Sequence, residues 1–125
     1  MATSKIPSKA DYVIEQGTSG FWNYRKWNSG IAECWGETTQ SNKSMSAWGT
    51  GYSFDTDTVN YPSGLFISPP NCIASGSWSA GNTIATQNSN RGTKSECPQI
   101  TFFRPSAMSG TGTAKLHFQA IGRWK

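Results

Sequence analysis

Residues 20–36, GFWNYRKWNSGIAECWG, hold three tryptophans, a phenylalanine and a tyrosine in seventeen positions. Residues 21–27 are rich in strand formers and poor in helix formers. Asn28, Ser29 and Gly30 are turn residues, and Gly30 can take the positive φ that a short loop needs. Residues 31–35 then read as a second strand, which makes the stretch a β-hairpin. Alternation puts Phe21, Asn23, Arg25 and Trp27 on one face and Trp22, Tyr24 and Lys26 on the other. Neither face is purely apolar, and both carry large rings. A sheet with one wet face would alternate more cleanly. The pattern predicts a sandwich core on one side and a second covered or binding surface on the other.

Outward from the hairpin the chain keeps reading as β. Strands are expected at residues 12–16, near 47–54, and at 72–78, 83–88, 99–104 and 113–124. Residues 65–68 are a short apolar piece stopped by Pro69 and Pro70. Residues 38–64 are rich in Ser, Thr, Asn and Gly. Residues 89–98 read as a polar loop and 105–112 as a turn-rich connector. In the final strand Ala114, Leu116, Phe118 and Ala120 alternate with Lys115, His117, Gln119 and Ile121. No stripe of 3.6-residue period is long enough for a helix, and no fixed repeat occurs. Many short strands separated by turns predict an all-β, antiparallel β-sandwich. At 125 residues one domain is expected: residues 1–19 as a linker and first short strand, 20–125 as the sandwich.

Leu, Ile, Val and Phe make up only 18 of the 125 residues, below the roughly 20% associated with disorder. The net charge is only +4, however, and six Trp and four Tyr add buryable area. Each such ring can remove about 150–250 Å² from water. The chain is therefore expected to fold on aromatics, with a core sparse enough that association would help it.

Little in the sequence points to chemistry. Cys34, Cys72 and Cys97 have no paired spacing of a zinc site. Cys34 reads as a buried thiol, and a Cys72–Cys97 bridge is left open. Asp55-Thr56-Asp57 has the look of a calcium-loop fragment but lacks the further oxygen ligands. His117 has no evident nucleophile partner, and no acid pair, phosphate loop or dinucleotide fingerprint is evident. No catalytic residue, metal or cofactor is expected. Basic residues are scattered, which argues against nucleic acid, and no apolar run is long enough to span a membrane.

The rings divide into two sets. Trp22, Trp27, Trp35 and Trp124 lie in expected strands and suit a core or a subunit interface, and Trp35 in particular is expected to be buried. Trp48, Tyr52, Tyr61 and Trp78 lie in or beside turn-rich segments. Rings among Asn, Gln, Ser and Thr suit sugars, whose C–H faces cover a ring while amides take the hydroxyls.

Residues 11–36, DYVIEQGTSGFWNYRKWNSGIAECWG, and the closing FQAIGRWK, residues 118–125, resemble the C-terminal domain of phage tail-fibre and minor structural proteins from siphophages and prophages of Gram-positive bacteria. Residues 37–112 carry little of the resemblance. It implies the distal tip of a virion fibre, a β-sandwich homotrimer that touches the host surface; it implies no particular receptor, and no catalytic residue is carried over. The expected partner is a host cell-surface polysaccharide or wall polymer. The alternative is a structural cap that trimerises the fibre without receptor contact. With strand rings claimed by core and interface, residues 78–82 are expected to form a hairpin tip that holds Trp78 near solvent. The expected ligand-binding set is Trp78, Asn82, Gln87, Asn88, Asn90, Arg91 and Lys94. Arg91 and Lys94 would meet the phosphodiesters of wall polymers.

Overall fold

The computed structural model describes residues 10–88 and 92–125. Among the described residues nine strands form: β1 Val13–Ser19, β2 Trp22–Trp27, β3 Ile31–Lys43, β4 Ser46–Trp48, β5 Gly51–Asp55, β6 Asn71–Trp78, β7 Ile84–Gln87, β8 Ile100–Arg104 and β9 Gly112–Arg123. They make two antiparallel sheets packed as a sandwich. One is five-stranded in the order β1-β2-β3-β9-β6, and the other four-stranded in the order β4-β5-β8-β7. The all-β sandwich expected from the alternation is the observed fold.

The β2–β3 hairpin forms where the sequence put it, and its turn is held from both ends of the described chain. Gly30 adopts φ +103° and donates its N–H to Trp27 O at 3.0 Å. The Asp11 carboxylate accepts from Ser29 N–H at 3.2 Å and Ser29 Oγ at 2.8 Å. Trp124 donates its backbone N–H to Gly30 O at 2.8 Å and its indole N–H to Trp27 O at 2.7 Å. A three-residue turn thus becomes a fixed corner of the five-stranded sheet.

β9 lies between β3 and β6, and its side chains alternate strictly between buried and exposed. Ala114, Leu116, Phe118 and Ala120 point inward. Opposite Ala120 stand Cys34 and Cys72, and opposite Phe118 stand Gly36 and Ala74. From the other sheet come Ile100 and Phe102, both essentially fully buried. Phe102 stacks with Phe54 and tilts against Trp78, with centroids 6.0 and 5.5 Å apart. Trp22, Tyr61, Leu65 and Phe66 close the far end. Aromatic rings carry much of this core, as their abundance among few aliphatics requires.

Residues 38–64 hold more regular structure than their polarity suggested. β3 runs on to Lys43 because β9 supplies its partners, through the pair Gln40–Ala114 and, past a shift in register, Lys43–Gly112. The expected strand near 47–54 is two strands, β4 and β5, joined by a tight turn. Asp55-Thr56-Asp57 is engaged in structure. Buried Thr56 accepts the Ile100 N–H through Oγ1 at 3.0 Å, Asp55 accepts from Thr101 Oγ1 at 2.7 Å, and Asp57 pairs with Lys43. Cys34, Cys72 and Cys97 are all free thiols.

The expected hairpin tip at 78–82 is corrected. β6 belongs to the five-stranded sheet and β7 to the four-stranded one, so residues 79–83 carry the chain between layers. Trp78 shares a face with Cys72, Ala74 and Gly76 and stands opposite buried Ala114. Its ring packs on Phe54 and Phe102, and its indole N–H reaches Met108 Sδ at 3.3 Å. Gly112 leaves the room that the indole fills, since a Cβ there would come within 2.5 Å of the ring.

Candidate functional site

With the core closed, function falls to the two outer faces. On the five-stranded sheet, cross-strand partners form rows across the strands. One row runs Thr18, Asn23, Trp35, Gln119, Ile73, and the next runs Gln16, Arg25, Glu33, Ile121, Asn71. Ile73 is 69% exposed, Ile121 48% and Phe21 36%. A concavity of about 760 Å³ opens here between Phe21, Trp35, Ile73 and His117.

The charges of this face are paired with one another. Arg25 Nε lies 3.1 Å from Glu33 Oε1, and its guanidinium sits 4.8 Å from the Trp35 ring centroid. Glu37 takes Lys115 Nζ at 2.8 Å and faces His117 Nε2 at 3.4 Å. The Lys115 hydrogen bond, helped by the charges of Lys115 and His117, holds the Glu37 carboxyl below its ordinary range. Trp35 was expected inside. It is half-buried on the outer face under Arg25, because its strand neighbours Ala32 and Cys34 take the inward positions.

The outer face of the four-stranded sheet is built differently. Ser53, Phe103 and Ile84 form one row, and Asp55, Thr101 and Thr86 the next. Trp48, 62% exposed, stands edge-on to Phe103 at 5.5 Å and 83°. Gly51 makes this arrangement fit, since a Cβ there would come within 2.4 Å of the Phe103 ring. These residues and Asn88 line a groove of about 560 Å³. Among the described residues its one charged lining side chain is Asp55. Thr101 holds Asp55 Oδ1, which leaves Oδ2 facing outward as an acceptor.

The expected binding residues do not converge. Trp78 is partly buried and packs against the core. Asn82 lies exposed in the crossover at φ +57°. The Gln87 side chain accepts the Ala74 N–H at 3.3 Å, which ties β7 to the edge of the five-stranded sheet. Asn88 donates its backbone N–H to Gln99 O at 3.0 Å and lines the groove beside Trp48. Lys94 is exposed in the turn that Thr93 closes onto Glu96. Asn90 and Arg91 lie outside the described residues. Of the other loop rings, Tyr61 is buried and Tyr52 half-buried, so Trp48 is the loop ring that faces solvent. The neighbouring Gly49-Thr50-Gly51 was its signal in the sequence: a tight turn that projects the preceding ring.

Burial pushes the Cys34 thiol up to about 12, and raises Cys72 and Cys97 as well. Protonated thiols are poor nucleophiles and poor metal ligands. Among the described residues no three His, Cys, Asp or Glu side chains converge as a metal site. Comparison with protein-family models, curated proteins and solved structures finds no significant match.

Proposed function

We propose that this chain is the tip domain of a phage tail fibre, a homotrimer on the virion that attaches to a host cell-surface polysaccharide by binding alone. The observation that carries the reading is the outer face of the five-stranded sheet. Ile73, Ile121 and Phe21 expose apolar area in adjoining rows, while Arg25 is ion-paired with Glu33 and Lys115 with Glu37 within the chain. A surface that is apolar and internally charge-balanced can be covered by a second copy without leaving a buried charge unpaired. Three copies about one axis would close the face and relieve the sparse aliphatic core.

The residues that carry the resemblance also form one unit. β1, β2, the first part of β3 and the end of β9 are neighbours, joined at the Asn28–Gly30 turn by Asp11, Arg123 and Trp124. A compact unit that carries the resemblance, beside loops that do not, suits a receptor-binding tip. Carboxylates engaged in ion pairs and hydrogen bonds support binding over catalysis: Glu15 accepts from Tyr24, Glu33 pairs with Arg25, and Asp57 pairs with Lys43.

Light scattering in dilute solution tests the assembly, with an expected mass three times the 13.6 kDa of one chain. Ile73→Lys combined with Ile121→Lys is expected to give monomers, because like charges forced together across a closed interface cost several kcal/mol. A parent protein that is monomeric at micromolar concentration overturns the trimer. Adsorption of the purified trimer to host cells separates the receptor-binding tip from a structural cap, which would not adsorb.

A further inference from the structure

The geometry points to the groove on the four-stranded sheet as a binding site for an uncharged pyranoside oligosaccharide, with Trp48 as its platform and Asp55 as its hydroxyl acceptor. The inference rests on the attachment reading and names its site.

Four observations carry it. First, the Trp48 ring is both exposed and held in position. It is 62% exposed, yet Phe103 braces it edge-on at 5.5 Å, and Phe103 is itself seated in space that only a glycine at 51 leaves free. A ring fixed before binding loses little freedom on binding. Second, the negative face of an indole attracts the polarised C–H bonds on one side of a pyranose. Ile84, 68% exposed, extends the apolar floor along the same row.

Third, the polar groups are of the kind sugar hydroxyls use. Thr101 Oγ1 donates to Asp55 Oδ1 at 2.7 Å, which orients the carboxylate and leaves Oδ2 as a charge-assisted acceptor. The Ser53 hydroxyl lies in the row beside it. The volume of about 560 Å³ falls within the range of small-ligand sites, roughly 300–1,000 Å³. Fourth, charge complementarity selects the ligand class. Among the described residues the lining holds one carboxylate and no cation, a balance that disfavours a phosphodiester or uronate polymer. Uncharged sugars meet no such penalty. The broad face of the five-stranded sheet lacks this combination, because its carboxylates are already in ion pairs.

The test uses the assembled protein and a panel of uncharged oligomers: β-1,4-glucan, N-acetylglucosamine and rhamnan fragments, with a glycerol-phosphate oligomer as the anionic comparison. Saturation-transfer NMR and calorimetry read the binding. At least one uncharged oligomer should bind, with affinity unchanged by about 0.5 M salt, where exposed charge contacts are screened. Trp48→Ala should weaken it about tenfold or more, as loss of a central aromatic anchor does, with melting temperature and oligomeric mass unchanged. Asp55→Asn should weaken it by a smaller factor. Ile73→Lys, on the other face, should leave the affinity per chain intact even where it dissolves the trimer.

Binding to no uncharged oligomer, binding to the glycerol-phosphate oligomer alone, or unaltered binding by Trp48→Ala overturns the site. If the Trp48→Ala trimer still adsorbs to cells like the parent, the groove is wrong and attachment stands. If the parent binds no cells, the attachment reading falls with it.

Discussion

The outer faces of the two sheets differ in how they use charge. On the five-stranded sheet each acid has a base beside it, and the exposed apolar residues lie among these pairs. On the four-stranded sheet a single carboxylate is steadied by a threonine hydroxyl, next to a ring braced at right angles to its neighbour. Exposed ion pairs contribute little apiece to stability, typically about 0–1 kcal/mol. Their consequence here is that the first face asks nothing further of a partner and can be covered flat. The second retains an acceptor and a ring with capacity left over. Two faces of one small sandwich thus suit two tasks, association and capture.

The largest expected effect separates inside from outside on a single strand. Phe102 is 1% exposed and Phe103 is half-buried on the opposite side of β8. Phe102→Ala should cost about 3–5 kcal/mol. Phe103→Ala should cost less than half of that by chemical denaturation, while releasing the Trp48 ring. Equal losses would mean that the groove face is part of the core.

Next comes Trp35→Ala, which removes a half-buried indole from beneath Arg25. A cation–π contact contributes about 0.5–1 kcal/mol and a cross-strand neighbour about 0.2–1. The expected loss is therefore about 1–2 kcal/mol, well short of a core tryptophan. A fall comparable to that of Trp22→Ala would show that the face is more deeply covered than one chain makes it.

Trp48→Ala should change stability by less than about 0.5 kcal/mol, as surface substitutions do. A melting temperature several degrees below the parent would recast this ring as structural and remove the reason to regard it as a platform.

The smallest effect is acidic. The Glu37 carboxyl is held below its ordinary range by Lys115, with His117 adding to the pull. Its folded value is depressed, so its contribution is present at neutral pH. That contribution fades as pH falls below the ordinary glutamate value of about 4.3. Glu37→Gln should lower the melting temperature slightly at neutral pH, with the difference from the parent closing as pH falls through the acid limb. A variant that tracks the parent throughout would leave the pair without energetic weight.

Much of the architecture was legible because its signals are local. Asn28-Ser29-Gly30 announces a turn, and the alternation through Ala114, Leu116, Phe118 and Ala120 announces a strand with one face inside. The second half of β3 was hidden, since Glu37 to Lys43 is polar and its pairing depends on β9, 69 to 80 residues further along the chain (Lys43–Gly112 to Glu37–His117). The hairpin tip expected to hold Trp78 near solvent was misplaced for a related reason. The run Cys72, Ala74, Gly76, Trp78 puts the indole in line with small residues, yet only the opposing Phe54 and Phe102 make that line the inside. Trp48 carried a turn signal but no sign that Phe103 would brace it.

By itself the sequence determined most of the strands, the Asn28–Gly30 turn and the period-two division of a strand into two faces, because pleat and turn geometry are set by neighbouring residues. Which face turns inward, which sheet receives β6 or β7, and which rings remain at the surface were decided only in the tertiary structure. Burial depends on what arrives from distant parts of the chain, and free energy is gained from whichever combination of faces removes the most apolar area from water. Ile73 stands 69% exposed while Ala74 beside it packs against the core, an outcome that hydrophobicity alone would reverse and that the fit of Phe102 over Gly76 dictates.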